Sequence, residues 1–250
     1  MNLIGLIFII VIILSIFQTI AGVGILVLGT PILLLLGFQM VEIMSLLLPI
    51  SMCNSLINLF FFNYRKEKIK IDLKIRNYFF FICLPGIGLG LFFLKNFNNL
   101  INFNLVVCFV IWIVIFLTYL NKRKNLNFIV NFKKTITLIT GFVHGVTNSG
   151  GSLLSMLITE SFSNKKVHYM RYQITFFYFF LALFQYLIIV ILFYSQEIFN
   201  FQISYFFSLL LGVIIGNILS NRINENQFKN IILFLAFLSS IFLFIKSEII

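Results

Sequence analysis

The sequence predicts an all-α integral membrane protein made of two homologous four-segment halves, about eight apolar segments in all. Three observations lead there. Hydrophobic residues make up 61% of the chain and charged residues only 10%, against roughly a quarter charged in a soluble domain. The apolar runs are each about 20 residues long, the length of a membrane-crossing helix rather than of the short alternating strands of a barrel. Each half also opens with a Gly-rich interruption inside an apolar run, where hydrocarbon leaves no water to pair an open backbone group.

The first half (1–124) begins with the broken segment 3–36. Residues 3–21 are continuously apolar; Gly22 and Gly24 follow, then a shorter piece holding Gly29, Thr30 and Pro31. Proline removes a donor and clashes with the preceding turn, so a helix through Pro31 is expected to kink or restart. The span 43–62 carries Pro49, Ser51, Asn54, Ser55 and Asn58; the last four recur at three- and four-residue steps and share one helix face. Such a stripe either ties helices together or faces a substrate, and both readings stay open for Asn54. A basic loop over 63–77 leads to spans 78–94 and 103–120, and a second basic loop marks the midpoint of the chain.

The second half (125–250) repeats the order: a broken segment at 135–162, then spans 170–194, 202–220 and 231–245. Its break is the richer one. His144, Thr147, Asn148, Ser149, Gly150, Gly151 and Ser152 set glycines and hydroxyl or amide side chains inside an apolar run. The next span carries Arg171, Gln173, Thr175, Tyr178 and Gln185.

The basic residues decide between two topologies. If each broken segment is a single crossing, twelve Lys and Arg lie inside and six outside; if each dips in and returns to its own side, sixteen of the 18 lie inside, leaving Lys95 and Lys246. The positive-inside bias favours the second arrangement, in which the halves are inverted repeats. The same bias accounts for the net charge of +11. No basic patch with interleaved aromatics, zinc spacing or phosphate loop accompanies it, so nucleic acid is not an expected partner. Cys53, Cys83 and Cys108 fall within apolar spans and read as small core residues, not as metal ligands or a disulfide framework. The first run lacks a basic flank and a cleavage site, and is expected to be a retained span.

A helix that restarts mid-membrane presents unpaired N–H groups and the positive end of its dipole. Two such starts facing each other would hold a small anion without a buried cation. Gly22, Gly24, Gly150 and Gly151 would let it approach the backbone, and Thr30, Pro31, Thr147, Asn148, Ser149 and Ser152 complete the candidate site. The competing reading is that these glycines only permit close packing. His144 either packs as a hydrogen-bonded imidazole or handles ligand or proton. Arg171 is either an interfacial anchor or an entry contact, with Gln173 beside it. Every carboxylate lies at a loop or span end, so no buried acidic proton relay is visible.

At these residues the chain resembles the sulfite exporter TauE/SafE family of membrane permeases. The likeness runs through Gly22, Gly24, Gly29, Thr30, Pro31 and Gly37, and through Asn148 to Ser155, in segment order along the whole chain. It departs in two places: the first break lacks a run of consecutive glycines, and Met156 stands near an expected proline. The resemblance implies a multi-pass permease of the bacterial cytoplasmic membrane that carries sulfite or a sulfonate-like anion, with no cofactor, and is compatible with a homo-oligomer. Two rivals come from other classes. An intramembrane serine enzyme would need a Gly-x-Ser-Gly, but Thr147 stands where its first glycine belongs, and His144 lies on the same segment as Ser149. A non-transporting scaffold would need no polar break in either half.

Overall fold

The computed structural model describes residues 3–64, 69–97, 132–193 and 203–220, with scattered positions at 102–119 and 222–245. The expected spans 103–120 and 231–245 are therefore described only in part. Arg65, Lys66, Lys68, Lys122, Arg123, Lys124, Lys229 and Lys246 lie outside the described residues. All regular elements among the described residues are helical.

In chain order the helices are α1 (Leu3–Ala21), α2 (Ile25–Leu35), α3 (Met40–Tyr64), α4 (Leu73–Phe97), α5 (Lys133–Thr147), α6 (Gly150–Ser161), α7 (Val167–Leu192) and α8 (Ile203–Ser220). Helices α3, α4 and α7 are long and apolar enough to cross a membrane, and α1, α2 and α8 are shorter apolar helices. Large apolar side chains face outward, as lipid as solvent requires: Phe81 is 79% exposed and Ile191 75%. Polar residues point the other way; Gln18, Ser51, Asn54, His144 and Asn148 are all buried.

Several boundaries differ from the sequence expectation for identifiable reasons. Helix α4 starts at Leu73, inside the expected basic loop, because the Asp72 carboxylate accepts the Ile75 N–H at 2.9 Å and caps the first turn. Lys133 and Lys134, expected in a loop, form the first turn of α5, and Lys134 Nζ lies 5.7 Å from the centre of the Tyr78 ring. The break falls at Gly22–Gly24 and α2 starts at Ile25, as the glycines indicate; no further restart occurs at Pro31, through which α2 runs.

Both broken segments fold back on themselves. A Cβ on Gly29 would lie 2.9 Å from Leu14 Cδ1, so α2 returns alongside α1. A Cβ on Gly150 would fall on Thr140 O and lie 2.9 Å from His144 Cα, so α6 returns alongside α5. The ends of the second hairpin stay close to one face of the bundle. Lys134 at its start stacks on Tyr78, while Gln173, just after its end, donates to Lys70 O at 2.8 Å.

The packing repeats with an offset of 126 positions. Gly22 and Asn148, both at positive φ, are separated by that number. Gly212 sits against Ile12 O and Ser15, and Gly216 against Ile16 O and Thr19; Gly86 sits against Leu138 O and Gly141, and Gly90 against Phe142 O and Gly145. Each residue of the second set corresponds to one of the first by the same shift. Helix α1 thus packs on α8 as α5 packs on α4, while α3 and α7, which also correspond, pack on each other. The glycines let these backbones approach closely, which is how helices associate where lipid offers no hydrophobic drive.

Candidate anion site

Helix α1 ends at Gly22, whose φ of +80° turns the chain; a Cβ there would lie 2.8 Å from Ile174 Cγ2. Two groups satisfy the first amides of α2. Gln18 Oε1 accepts from the Ile25 N–H at 3.2 Å, and the Tyr178 hydroxyl accepts from the Leu26 N–H at 3.3 Å. Gln18 is itself held on both sides: Nε2 donates to Ser51 O at 2.9 Å and Ser55 Oγ at 3.0 Å, and Ser51 Oγ donates to Oε1 at 3.2 Å. The first restart is therefore sealed from within.

The second restart is arranged otherwise. Asn148 closes α5 at φ +64°, a conformation asparagine tolerates better than most residues, and its N–H donates to His144 O at 2.9 Å. Ser149 occupies the N-cap of α6, yet no side chain caps that helix: the Ser149 hydroxyl turns back to Thr147 O at 3.2 Å. Thr147 Oγ1 accepts the Ser149 N–H at 3.3 Å, and Ser152 Oγ donates to Ser149 O at 2.7 Å.

One bond joins the two breaks across the bundle. Asn148 Nδ2 donates to Thr30 Oγ1 at 3.2 Å. Tyr178 serves both sides: its hydroxyl caps Leu26, and a Cβ on Gly151 would fall on its ring. The His144 ring lies 6.3 Å from that ring, centre to centre. Gln185 Nε2 donates to His144 O at 3.0 Å and reaches Met44 Sδ at 3.6 Å.

Around this junction buried polar atoms lack partners among the described residues: His144 Nδ1 and Nε2, Asn148 Oδ1 and Gln185 Oε1. All three residues are 0% exposed. An unpaired buried polar group costs about 1–3 kcal/mol, so four in one neighbourhood call for a cause. The 126-position shift makes the contrast sharper. It places His144 where the first half has Gln18, an amide with every polar atom engaged.

Of the candidate residues, Thr30 from the first half meets His144, Thr147, Asn148, Ser149, Gly150, Gly151 and Ser152 from the second through its bond to Asn148, while Gly22, Gly24 and Pro31 belong to the first break and the start of α2. The other three lie elsewhere. Asn54 donates to Ser15 O at 3.3 Å and accepts from Asn58 Nδ2 at 2.7 Å, within a network tying α1 to α3. Gln173 clasps the segment before α4, donating to Lys70 O and accepting the Asp72 N–H at 3.4 Å. Arg171 donates to Ser220 O at 3.3 Å near the ends of α7 and α8. Gln18 was not singled out by the sequence, and Tyr178 and Gln185 were noted on their span but not as part of the candidate site. Gln18 could have been, as an amide one helical turn before a glycine break; Tyr178 stands within an unbroken aromatic run and gives no such signal.

Among the described residues no three His, Cys, Asp or Glu gather as metal ligands. The family model described as sulfite exporter TauE/SafE matches residues 7–243, nearly the whole chain. The chain belongs to this family. TauE/SafE proteins are membrane transporters, which agrees with the apolar helices and with a non-enzymatic reading of the Ser149 region. No curated protein and no solved structure matches the chain.

Proposed function

We propose that this TauE/SafE protein is a permease that carries sulfite or a sulfonate-like anion across the bacterial cytoplasmic membrane, bound at the second break. The unpartnered polar atoms of His144, Asn148 and Gln185 around the uncapped start of α6 carry that reading. The anion would sit against the N-terminal turn Gly150–Ser152, where the helix dipole favours negative charge. His144 offers one ring N–H. Turned over, the Asn148 amide offers its NH2 group while the Thr30 hydroxyl donates to Oδ1; such amide orientations follow the hydrogen bonds available. Gly150 and Gly151 set the start of α6 tightly against Thr140 O, His144 and the Tyr178 ring, which brings those side chains up to the N-terminal turn.

The mechanism follows from the repeated packing. The 126-position correspondence and the return of each broken segment to its own side support two inverted halves, 1–124 and 125–250, related by an axis in the membrane plane. The site lies between them and is closed to solvent on all sides in this conformation. Rocking one half against the other would open it to each face in turn. With the basic face inside, an anion leaving a cell that is negative inside moves downhill by about 2.3 kcal/mol per charge per 100 mV. Export then needs no coupling ion.

Proteoliposomes holding the purified protein test this directly. Sulfite flux should follow an imposed voltage and fall about tenfold or more in His144→Ala, the loss expected for one hydrogen bond to a charged ligand. Flux equal to that of empty liposomes would leave a scaffold as the better description.

A further inference from the structure

Two successive hydrogen-bonded groups of polar side chains lie between the first break and the basic face. The first is Gln18, bonded to Ser51 and Ser55. One turn on, Asn58 Nδ2 donates to Thr19 Oγ1 at 3.1 Å and to Asn54 Oδ1. Asn217 Nδ2 on α8 donates to Asn58 Oδ1 at 3.3 Å, Ser220 Oγ donates to Asn217 O at 2.9 Å, and Arg171 reaches Ser220 O. Beside the end of the second group a cavity of about 550 Å³ opens between α1, α8 and the last segment. Its wall joins Arg222, Gln227 and Asn230 to the apolar Ile20, Leu219, Ile231 and Phe234.

At the corresponding positions, 126 residues away, the second seam is apolar, and Gln185, bonded to His144 O, is the amide beside them. Ser51, Asn54, Ser55 and Asn58 correspond to Phe177, Phe180, Leu181 and Phe184; Thr19 corresponds to Gly145; Asn217 and Ser220 correspond to Leu91 and Leu94. That seam between α4, α5 and α7 runs toward Lys95, at the opposite end of α4 from Tyr78 and the basic face. Opening the first seam exchanges protein hydrogen bonds for bonds to water, a near-balanced trade. Opening the second exposes mainly apolar surface, from Phe177, Phe180, Leu181, Phe184, Leu91 and Leu94.

We propose that the polar seam between α1, α3 and α8 is the route by which the anion passes between the buried site and the basic face, and that its counterpart between α4, α5 and α7 is a hydrophobic seal toward the other face. The proposal rests on the permease reading above. It gives the two halves different work: a wettable inner path that parts readily, and an outer gate that stays dry until the loaded site forces it open. Water enters a narrow polar gap more readily than a greasy one, and hydrophobic constrictions gate by dewetting.

Thiol labelling tests the route without any substrate. In a chain with Cys53, Cys83 and Cys108 replaced by alanine, single cysteines are placed at Asn58, Asn217 and Ser220, and at Phe184, Leu91 and Leu94. Each is exposed in oriented vesicles to the anionic, membrane-impermeant reagent sulfonatoethyl methanethiosulfonate. The first three should react from the basic face at least about ten times faster than the second three from either face, because access governs a thiol's reaction rate at equal thiolate content. Equal rates in the two sets would overturn the proposal and leave the polar groups as interhelical glue. If the cysteine-free chain does not fold, amide exchange on the unmodified protein gives the same comparison. Peptides covering Thr19 and Asn217 should exchange faster than those covering Gly145 and Leu91, and the reverse order would contradict the route. Slow labelling sinks the route even where sulfite flux is measured; fast labelling without flux sinks the permease reading alone.

Discussion

The two breaks use one backbone device to opposite ends. At the first, Gly22 turns the chain and Gln18 reaches forward to cap Ile25, with Ser51 and Ser55 holding the amide in place. At the second, Asn148 makes the same turn, but His144 stands in the position of Gln18 with neither ring nitrogen engaged, and the Ser149 hydroxyl faces backward. A restart that is capped from inside is a structural joint. A restart left uncapped among unpaired polar atoms is what we propose as the binding site. The difference lies in the side chains around each turn (Gln18, Ser51 and Ser55 against His144, Phe177 and Leu181), since the glycine contacts of α1 with α8 and of α5 with α4 correspond position by position.

The largest expected effect removes the space both breaks depend on. Gly151→Leu places a side chain on the Tyr178 ring, which also caps α2, so it should disrupt both breaks at once. Overpacking of this kind costs about 1–3 kcal/mol or more, and size-exclusion chromatography in detergent should show little monodisperse protein. Next in size, Gln18→Ala leaves the Ile25 N–H and the Ser51 hydroxyl without their partner. It should lower stability by about 2–3 kcal/mol, read as a drop in the thermal midpoint. His144→Ala removes two unpaired nitrogens and breaks no side-chain hydrogen bond, so its midpoint should hold or rise. A fall in that midpoint matching the glutamine variant's would erase the distinction between the breaks.

Smaller effects sharpen the comparison. Asn148→Gly keeps the left-handed turn but cuts the bond to Thr30, and should weaken anion binding by about three- to tenfold. Asn148→Ala adds backbone strain of about 1 kcal/mol or more to that loss, so its midpoint should fall below that of the glycine variant. Least of all, Asn217→Leu deletes one interhelical bond of the polar seam; such bonds average about 0.6 kcal/mol within membranes. Its midpoint should barely move, while transport slows if the seam carries the anion.

Much of this was legible in the sequence, and the limits have physical causes. Apolar run length and the Gly-rich breaks pointed to an all-helical membrane fold, because a membrane offers few ways to pair a backbone. The second break stood out since Asn148, Ser149 and Gly150 have no business in hydrocarbon unless they line something. The start of α4 was missed because Asp72 looks like one more charge in a basic loop until its carboxylate is seen capping Ile75. Asn54 could not be resolved between glue and ligand by spacing alone; its hydrogen bonds to α1 depend on which helix lies opposite. The same holds for Tyr178 and Gln185, whose importance comes from facing the breaks, and periodicity does not say which neighbour a face meets. Likeness between the halves is nearly invisible residue by residue, since Gln18 corresponds to His144 and Asn58 to Phe184. What the halves share is the spacing of small residues at backbone contacts.

The most direct measurement is the affinity of purified protein for sulfite, by titration calorimetry, in the unmodified chain and in Gln18→Ala and His144→Ala at a temperature where all three are folded. The second break as binding element predicts that His144→Ala loses about tenfold or more in affinity while Gln18→Ala stays within about threefold. Equal losses in the two variants, or a larger one in Gln18→Ala, would contradict it.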